Sequence, residues 1–398
     1  YYTNKPVHLS KQVVNELYKK KINMSVSRLE MHQSCSYKHF AQYSLGLEER
    51  KTYALEAPDI GSLFHEALKV ITDWIKEEGK DFSQVTKEES KHYAQRSMET
   101  LAPILQHRIL TSSNRYKYIK RKLQAIIERA TFILSEQARA SGFETVGVEL
   151  AFDYGETLEP VTIPLANGYD VILRGRIDRV DQARINDQLY LRIIDYKSSS
   201  RELDLVEVYY GLALQMLTYL QVILNQSEAW LGEQADPAGV LYFHVHNPII
   251  KDGYGYTNEK IEEEILKQFK LRGLIVKRPD VAQEMDLTHE SGYSQIAPFA
   301  LGKQGNFYSN VKSVVEEETF NQLGKHMFRI IEQAGLSLTS GEVKLNPYEY
   351  KEMTACTFCD FRSVCQFDRH LRDNQFRQLS PLDQDDIYAK LSQYDEGK

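Results

Sequence analysis

The sequence predicts an α/β protein: a small core sheet inside helical additions, with the two ends of the chain joined by a metal centre. Two observations lead there. β-branched and aromatic segments gather in the middle of the 398 residues, and helical periodicity lies on either side. The chain also has four cysteines, Cys35 near its start and Cys356, Cys359 and Cys365 as C-x2-C-x5-C near its end. Four thiolates complete one tetrahedral metal shell, and C-x2-C beside a further cysteine is a strong ligand spacing. The polar residues around the trio (Thr354, Thr357, Asp360, Arg362, Ser363) do not suit core thiols. Spacing alone leaves zinc and an iron–sulfur cluster both open.

The elements follow in order. Residues 1–24 read as a polar helical lead-in. Ser27 and Glu30 have capping-box spacing, so a helix starts there and carries Cys35; Phe40, Tyr43 and Leu47 extend its apolar face. A second helix runs over about 60–78, and after Gly79 a long helical region covers about 87–140. The pattern then changes. TVGVELAF, VTIPL, DVILRGRIDRVD and QLYLRIIDYKSS read as strands, with Asn186-Asp187 as the hairpin turn between the last two. A helix over 205–225 and the strand PAGVLYFHVHNP follow. Residues 251–310 read as an insertion or as loops around short helices, 316–334 as a helix, and 381–398 as an acidic tail or a last helix. The expected division is a lead-in over 1–22, a catalytic domain over 23–380 and the tail.

Composition is that of an ordinary globular protein, 42% hydrophobic and 26% charged, with net charge −7. The absence of a signal peptide or an apolar spanning run predicts a cytoplasmic protein with no membrane partner. Tyr1 at the start suggests an excised or processed piece. The acidic balance weighs against nucleic acid only weakly, because RYKYIKRK gathers Arg115, Lys117, Lys120, Arg121 and Lys122 with two tyrosines. That mixture suits single-stranded DNA, by phosphate contact and stacking, and equally suits a solvated helix face.

The chemistry concentrates in GRIDRVD and IIDYK. Residues two apart on a strand share a face, so Asp195 and Lys197 point together, and a hairpin brings Asp178 beside them. Two carboxylates converging at strand ends form a hard oxygen site for Mg²⁺ or Mn²⁺, to which the Tyr196 carbonyl adds a ligand. A cation there would lower the pKa of an attacking water and offset charge on a scissile phosphate, with the lysine beside it. The competing reading is a surface salt bridge on a half-buried hairpin. His65, in Gly61-x3-His65, is an imidazole candidate for the same site. Gln215 and Tyr219, four apart, share a helix face. Glu149 ranks below the aspartates as a further carboxylate.

GSLFH (61–65), GRIDRVD (175–181), IIDYKSS (193–199) and QMLTY (215–219) resemble, in this order, the RecB-type nucleases of the PD-(D/E)xK superfamily. SVSRLEMHQSCSYKHFAQYSLGLEE and CTFCDFRSVCQFD resemble its iron-staple branch. The resemblance implies a restriction-endonuclease-like core sheet flanked by helices. His65, Asp178, Asp195 and Lys197 would be catalytic, with Gln215 and Tyr219 in support. Asp178, Asp195, Tyr196 and His65 would hold Mg²⁺, and Cys35, Cys356, Cys359 and Cys365 a [4Fe–4S] cluster. It also implies an exonuclease on single-stranded DNA, partnered by a helicase/nuclease subunit at double-stranded ends in recombinational repair. The expected cut is in the 5′-terminated strand. One departure is Ile177 where the superfamily's name has proline. No G-x4-GK[ST] phosphate loop is present, so ATP hydrolysis is not expected of this chain. The alternative is a non-catalytic DNA-binding module stapled by iron–sulfur or zinc.

Overall fold

The segments richest in β-branched residues build the central sheet. The computed structural model describes residues 4–5, 7–50, 52–199, 202–248 and 257–396. Strands β3 (Glu144–Phe152), β6 (Gly175–Ile185), β7 (Gln188–Lys197), β8 (Ala235–His244), β9 (Arg272–Val276) and β12 (Val314–Val315) lie in the order β12-β9-β8-β7-β6-β3. β3, β6 and β7 are antiparallel neighbours. The β6–β7 hairpin turns at Asn186 and Asp187, whose φ values of 50° and 63° are those of a type I′ turn, so the expected turn is observed. β7 and β8 are parallel, and a parallel pair needs a long crossover. The crossover is helical, but in two pieces, α7 (Leu205–Tyr209) and α8 (Gln215–Leu231), where one helix over 205–225 was expected. The break falls at Gly211, which has φ 78° and lies against Gln33 and Ile330.

β9 corrects the reading of 251–310 as an insertion. It pairs antiparallel with β8 and its Leu274, Ile275 and Val276 are buried, so this stretch supplies a strand of the main sheet. Around it stand α9 (Asn258–Gln268), α10 (Pro279–Met285) and the β10 (Gly292–Tyr293)–β11 (Ala300–Leu301) pair. Residues 251–256 of the stretch, and 397–398 of the tail, lie outside the described residues.

Helices cover both faces of the sheet. α4 (Ala57–Glu77) buries Leu63, Phe64, Ala67, Leu68 and Ile71 and meets β3 and β7. The long helical region is split into α5 (Lys87–Leu101) and α6 (Asn114–Arg139) by a 3₁₀ turn over 105–111. α8 packs on β7 and β8, and α11 (Glu317–Ser340) packs behind it. A Cβ on Gly335 of α11 would come within 2.7 Å of Val171, so this helix lies hard against a second sheet. That sheet has the order β2-β5-β4, from β2 (Lys21–Met24), β4 (Val161–Pro164) and β5 (Asp170–Leu173).

The start of the chain also departs from expectation. In place of a helical lead-in stand β1 (Val7–His8), α1 (Lys11–Leu17) and β2, whose Ile22 and Met24 are buried. β1 pairs with β13 (Glu342–Val343), close to the other end of the chain. α2 (Val26–Ser34) is capped by Ser25, which accepts from the Arg28 N–H, and not by Ser27. Cys35 sits in the extended break between α2 and α3 (Ser36–His39). The C-terminal region holds the sheet β15 (Met353–Thr354)-β14 (Tyr348–Tyr350)-β16 (Arg377–Gln378), the single turn α12 (Arg362–Cys365) and α13 (Gln384–Glu396). Ile387 and Leu391 of α13 are buried, so the acidic tail packs as the last helix that its sequence allowed.

Candidate active site and cysteine centre

The site lies where β6 and β7 part. The ladder register runs up to Arg179–Ile194. Beyond it the Tyr196 N–H donates to Asp178 Oδ2 at 2.8 Å. In an extended residue the N–H and C=O point to the same edge, so the Tyr196 carbonyl faces the side on which Asp178 stands. Alternation puts Asp195 and Lys197 on one face and the Tyr196 ring on the other. α8 serves the first face: Gln215 donates to Asp195 Oδ1 at 3.0 Å and accepts from Lys197 Nζ at 3.4 Å. α4 serves the second: His65 Nδ1 lies 3.3 Å from Asp178 Oδ2, with its ring edge-on to Tyr196.

Glu149 belongs to the site more closely than its rank in the sequence indicated. In the β3–β6 register Val148 faces Arg179 and Leu150 faces Ile177, which sets Glu149 opposite Asp178. Its φ of 48° is rare for a non-glycine residue and marks local backbone strain at the site. Among the described residues, His65, Glu149 and Asp178 form the group of metal-type ligands whose atoms all lie within 4.8 Å of one another. The signal was available in principle: an acid on the strand that must pair with GRIDRVD. Gly61 is a different matter. A Cβ there would meet Ser198 Oγ at 3.5 Å, an ordinary contact, so close approach does not require glycine.

The electrostatics call for a cation. Asp195 is fully buried, and burial together with the charge of Asp178 pushes its pKa up to about 7 against the pull of Lys197. Lys197 Nζ lies 2.6 Å from Asp195 Oδ2, and its charge and close contact pull that pKa back down without cancelling the rise. Burial and Asp178 likewise raise Glu149. For His65, burial works downward, but the hydrogen bond and charge of Asp178 carry its pKa above the usual value. The His65, Glu149 and Asp178 group, with buried Asp195 beside it but outside the group, fits a divalent ion of the Mg²⁺ type. Tyr219 stands one step back: its hydroxyl accepts from Gln215 at 3.3 Å, its ring packs edge-on to Phe152, and burial raises its pKa.

GRIDRVD contains a second acid with another duty. Asp181 is fully buried and accepts from Arg179 at 2.6 and 3.1 Å, from Arg192 at 3.0 Å and from Thr145 at 2.9 Å. This network pins β3, β6 and β7 together behind the site.

The four cysteines come together from the two ends of the chain and line one small cavity, with Pro347 and Phe361 beside them; none is in a disulfide. Burial pushes the Cys356 thiol up to about 11, with Cys35, Cys359 and Cys365 acting in the same direction. Burial also raises Cys35 and Cys365. Such thiolates ionise together only around a cation. Four cysteines gathered at one cavity are a donor set that suits one zinc ion or an iron–sulfur cluster.

The basic stretch expected on a helix lies on the first half of α6. Arg115, Lys117, Arg121 and Lys122 are exposed, Lys120 is half-buried, and Lys122 sits over the exposed ring of Tyr118. Among the described residues no helix is long and apolar enough to cross a membrane.

A carboxylate–lysine pair on a splayed hairpin, backed by a helix-borne glutamine, defines a class. The chain belongs to the PD-(D/E)XK nuclease superfamily, whose description matches residues 23–366. Within it, the chain is 55% identical over 388 residues to an ATP-dependent helicase/deoxyribonuclease subunit of Oceanobacillus iheyensis, covering 97% of this chain and 33% of that protein. It is 49% identical to the subunit of the same name from Bacillus pumilus (98% and 33% covered) and 47% identical to that of Bacillus subtilis (95% and 32%). It spans about a third of the length of these curated relatives.

Proposed function

We propose that this chain is the nuclease region of an AddB-type subunit of a bacterial AddAB helicase–nuclease. In this reading it hydrolyses phosphodiester bonds of single-stranded DNA in a Mg²⁺- or Mn²⁺-dependent reaction. Its partner is an AddA-type helicase/nuclease subunit, and the complex works in the cytoplasm on double-stranded ends during homologous recombination. The cut falls in the 5′-terminated strand. The observation that carries the reading is the convergence of His65, Glu149 and Asp178 beside buried Asp195, whose carboxylate lies 2.6 Å from Lys197 Nζ.

A divalent cation supplies a more acidic water and a counter-charge for the phosphate. The chain's own groups do the rest. Asp178 and Glu149 offer oxygens toward one point, and the Tyr196 N–H and His65 hold the Asp178 carboxylate in place. Lys197, fixed against Asp195 and Gln215, presents an ammonium that orients the water and offsets charge as it adds to phosphorus and the P–O bond to the leaving sugar breaks. The exposed cations of α6, with Tyr118, support contact with the incoming strand. The meeting of Cys35 with Cys356, Cys359 and Cys365 at one cavity supports a [4Fe–4S] cluster with a mechanical role, closing the chain's two ends around the sheet.

The test is cleavage of end-labelled single strands with and without Mg²⁺, beside Asp195→Ala. Cleavage that needs both Mg²⁺ and Asp195 is expected. DNA binding with no cleavage at any Mg²⁺ concentration would reduce the chain to a binding module.

A further inference from the structure

α8 begins with an uncapped turn. Its first N–H groups have no intrahelical acceptor, and Leu214 at the cap position offers no side-chain oxygen. The acceptor comes from elsewhere. Glu30 Oε1 takes hydrogen bonds from the Leu214 N–H at 2.7 Å and the Gln215 N–H at 3.1 Å. A carboxylate at this end also meets the positive pole of the helix. Gln215 is the residue that bonds both Asp195 and Lys197.

Glu30 stands on α2, which ends at Cys35. The far end of α2 is tied to the C-terminal region. Arg377 donates to the Gln33 carbonyl, the Ser36 N–H donates to Asn346 Oδ1 at 2.9 Å, and the Tyr37 N–H donates to the Lys344 carbonyl at 2.9 Å. One rigid segment therefore touches the cysteine centre at one end and the catalytic helix in its middle.

We propose that Glu30 is a positioning residue of the carboxylate site, setting Gln215 and thereby Asp195 and Lys197, and tying them to the segment that carries Cys35. The inference rests on the nuclease reading. Its carboxylate bonds the start of α8, so its part is to position and not to react.

The experiment compares wild-type protein with Glu30→Ala, Glu30→Gln, Gln215→Ala and Glu30→Ala/Gln215→Ala. Displacement of a catalytic group by about 1 Å can cost on the order of 100-fold. Glu30→Ala is expected to lose roughly 10- to 100-fold in kcat. Its KM for single-stranded DNA, its DNA affinity in EDTA and its iron content should stay near wild type, while its melting temperature should fall by no more than a few degrees, the cost of two helix N–H groups left without an acceptor. Glu30→Gln keeps an oxygen that accepts from both N–H groups and should recover most of the rate. The double variant should be no slower than Gln215→Ala, because both lesions act on one step.

Losses that multiply in the double variant, or an unchanged rate in Glu30→Ala, would overturn the proposal. If Glu30→Ala does not fold, Glu30→Asp, too short to reach both amides, takes its place under the same criteria. Loss of the fold in both variants assigns Glu30 to stability alone and also overturns it. A wild-type protein that does not cleave would sink the nuclease reading instead.

Discussion

The carboxylate site and the cysteine cluster each gather side chains of metal-ligand type, yet they are held in opposite ways. The carboxylates come from neighbouring strands of one sheet and already have protein partners: the Tyr196 N–H for Asp178, Gln215 and Lys197 for Asp195. The cysteines come from the two ends of the chain, and burial raises the thiols of Cys35, Cys356 and Cys365. The first can keep its shape without an ion. The second is a junction between the ends of the chain. A site framed beforehand by strands suits chemistry, whereas a site that ties chain ends suits support.

The largest effect should follow from the first half of that contrast. Asp178→Ala removes the acid shared by His65, Glu149 and the Tyr196 N–H. It should cost roughly a thousandfold or more in cleavage rate while melting temperature and iron content hold. An active Asp178→Ala protein would break the assignment of chemistry to this site. Cys356→Ala should do the converse. Iron content, melting temperature and DNA affinity should fall together, because the ends of the chain are no longer closed. Anaerobically purified wild-type protein should be brown. A colourless protein with one zinc per chain, or a Cys356→Ala protein of normal stability, would erase the contrast.

Residues differ in how far the sequence alone reveals their roles, and the difference has a physical source. The shared face of Asp195 and Lys197 and the Asn186-Asp187 turn could be read because strand alternation and turn chemistry are local rules. That the four cysteines gather in one place could be read from their spacing, whatever they hold. Glu30 could not. Its spacing from Ser27 imitates a capping box, but Ser25 is the cap, and Glu30 instead serves a helix start far along the chain. β9 was missed for a related reason. Its RGLIV is short and sits among polar segments, and only its pairing with β8 makes it a strand of the sheet. Glu149 was ranked low because an acid on a strand gives no hint of the positive φ that accompanies its place beside Asp178. In each case the deciding contact is tertiary.

The smallest effect sharpens the claim that the carboxylate site keeps its shape without an ion but carries an electrostatic load. Burial and Asp178 lift the Asp195 pKa from 3.8 to about 7. An acid raised in this way keeps its proton in the folded state while the unfolded chain has released it, so stability falls as pH climbs between those values. The raised His65 acts in the same direction: its charged pairing with Asp178 stabilises at low pH and is lost as pH rises through its folded pKa. In EDTA, the melting temperature should therefore drop by a few degrees between pH 5 and pH 8. Mg²⁺ should restore it at pH 8, where the carboxylates are charged and crowded. Asp195→Asn keeps a group of the same shape beside Gln215 without the charge, so its EDTA profile should be flatter and should match or exceed wild type at pH 8. A wild-type profile that is flat in EDTA would mean that Lys197 alone balances Asp195, and that the site carries no load for a cation to relieve.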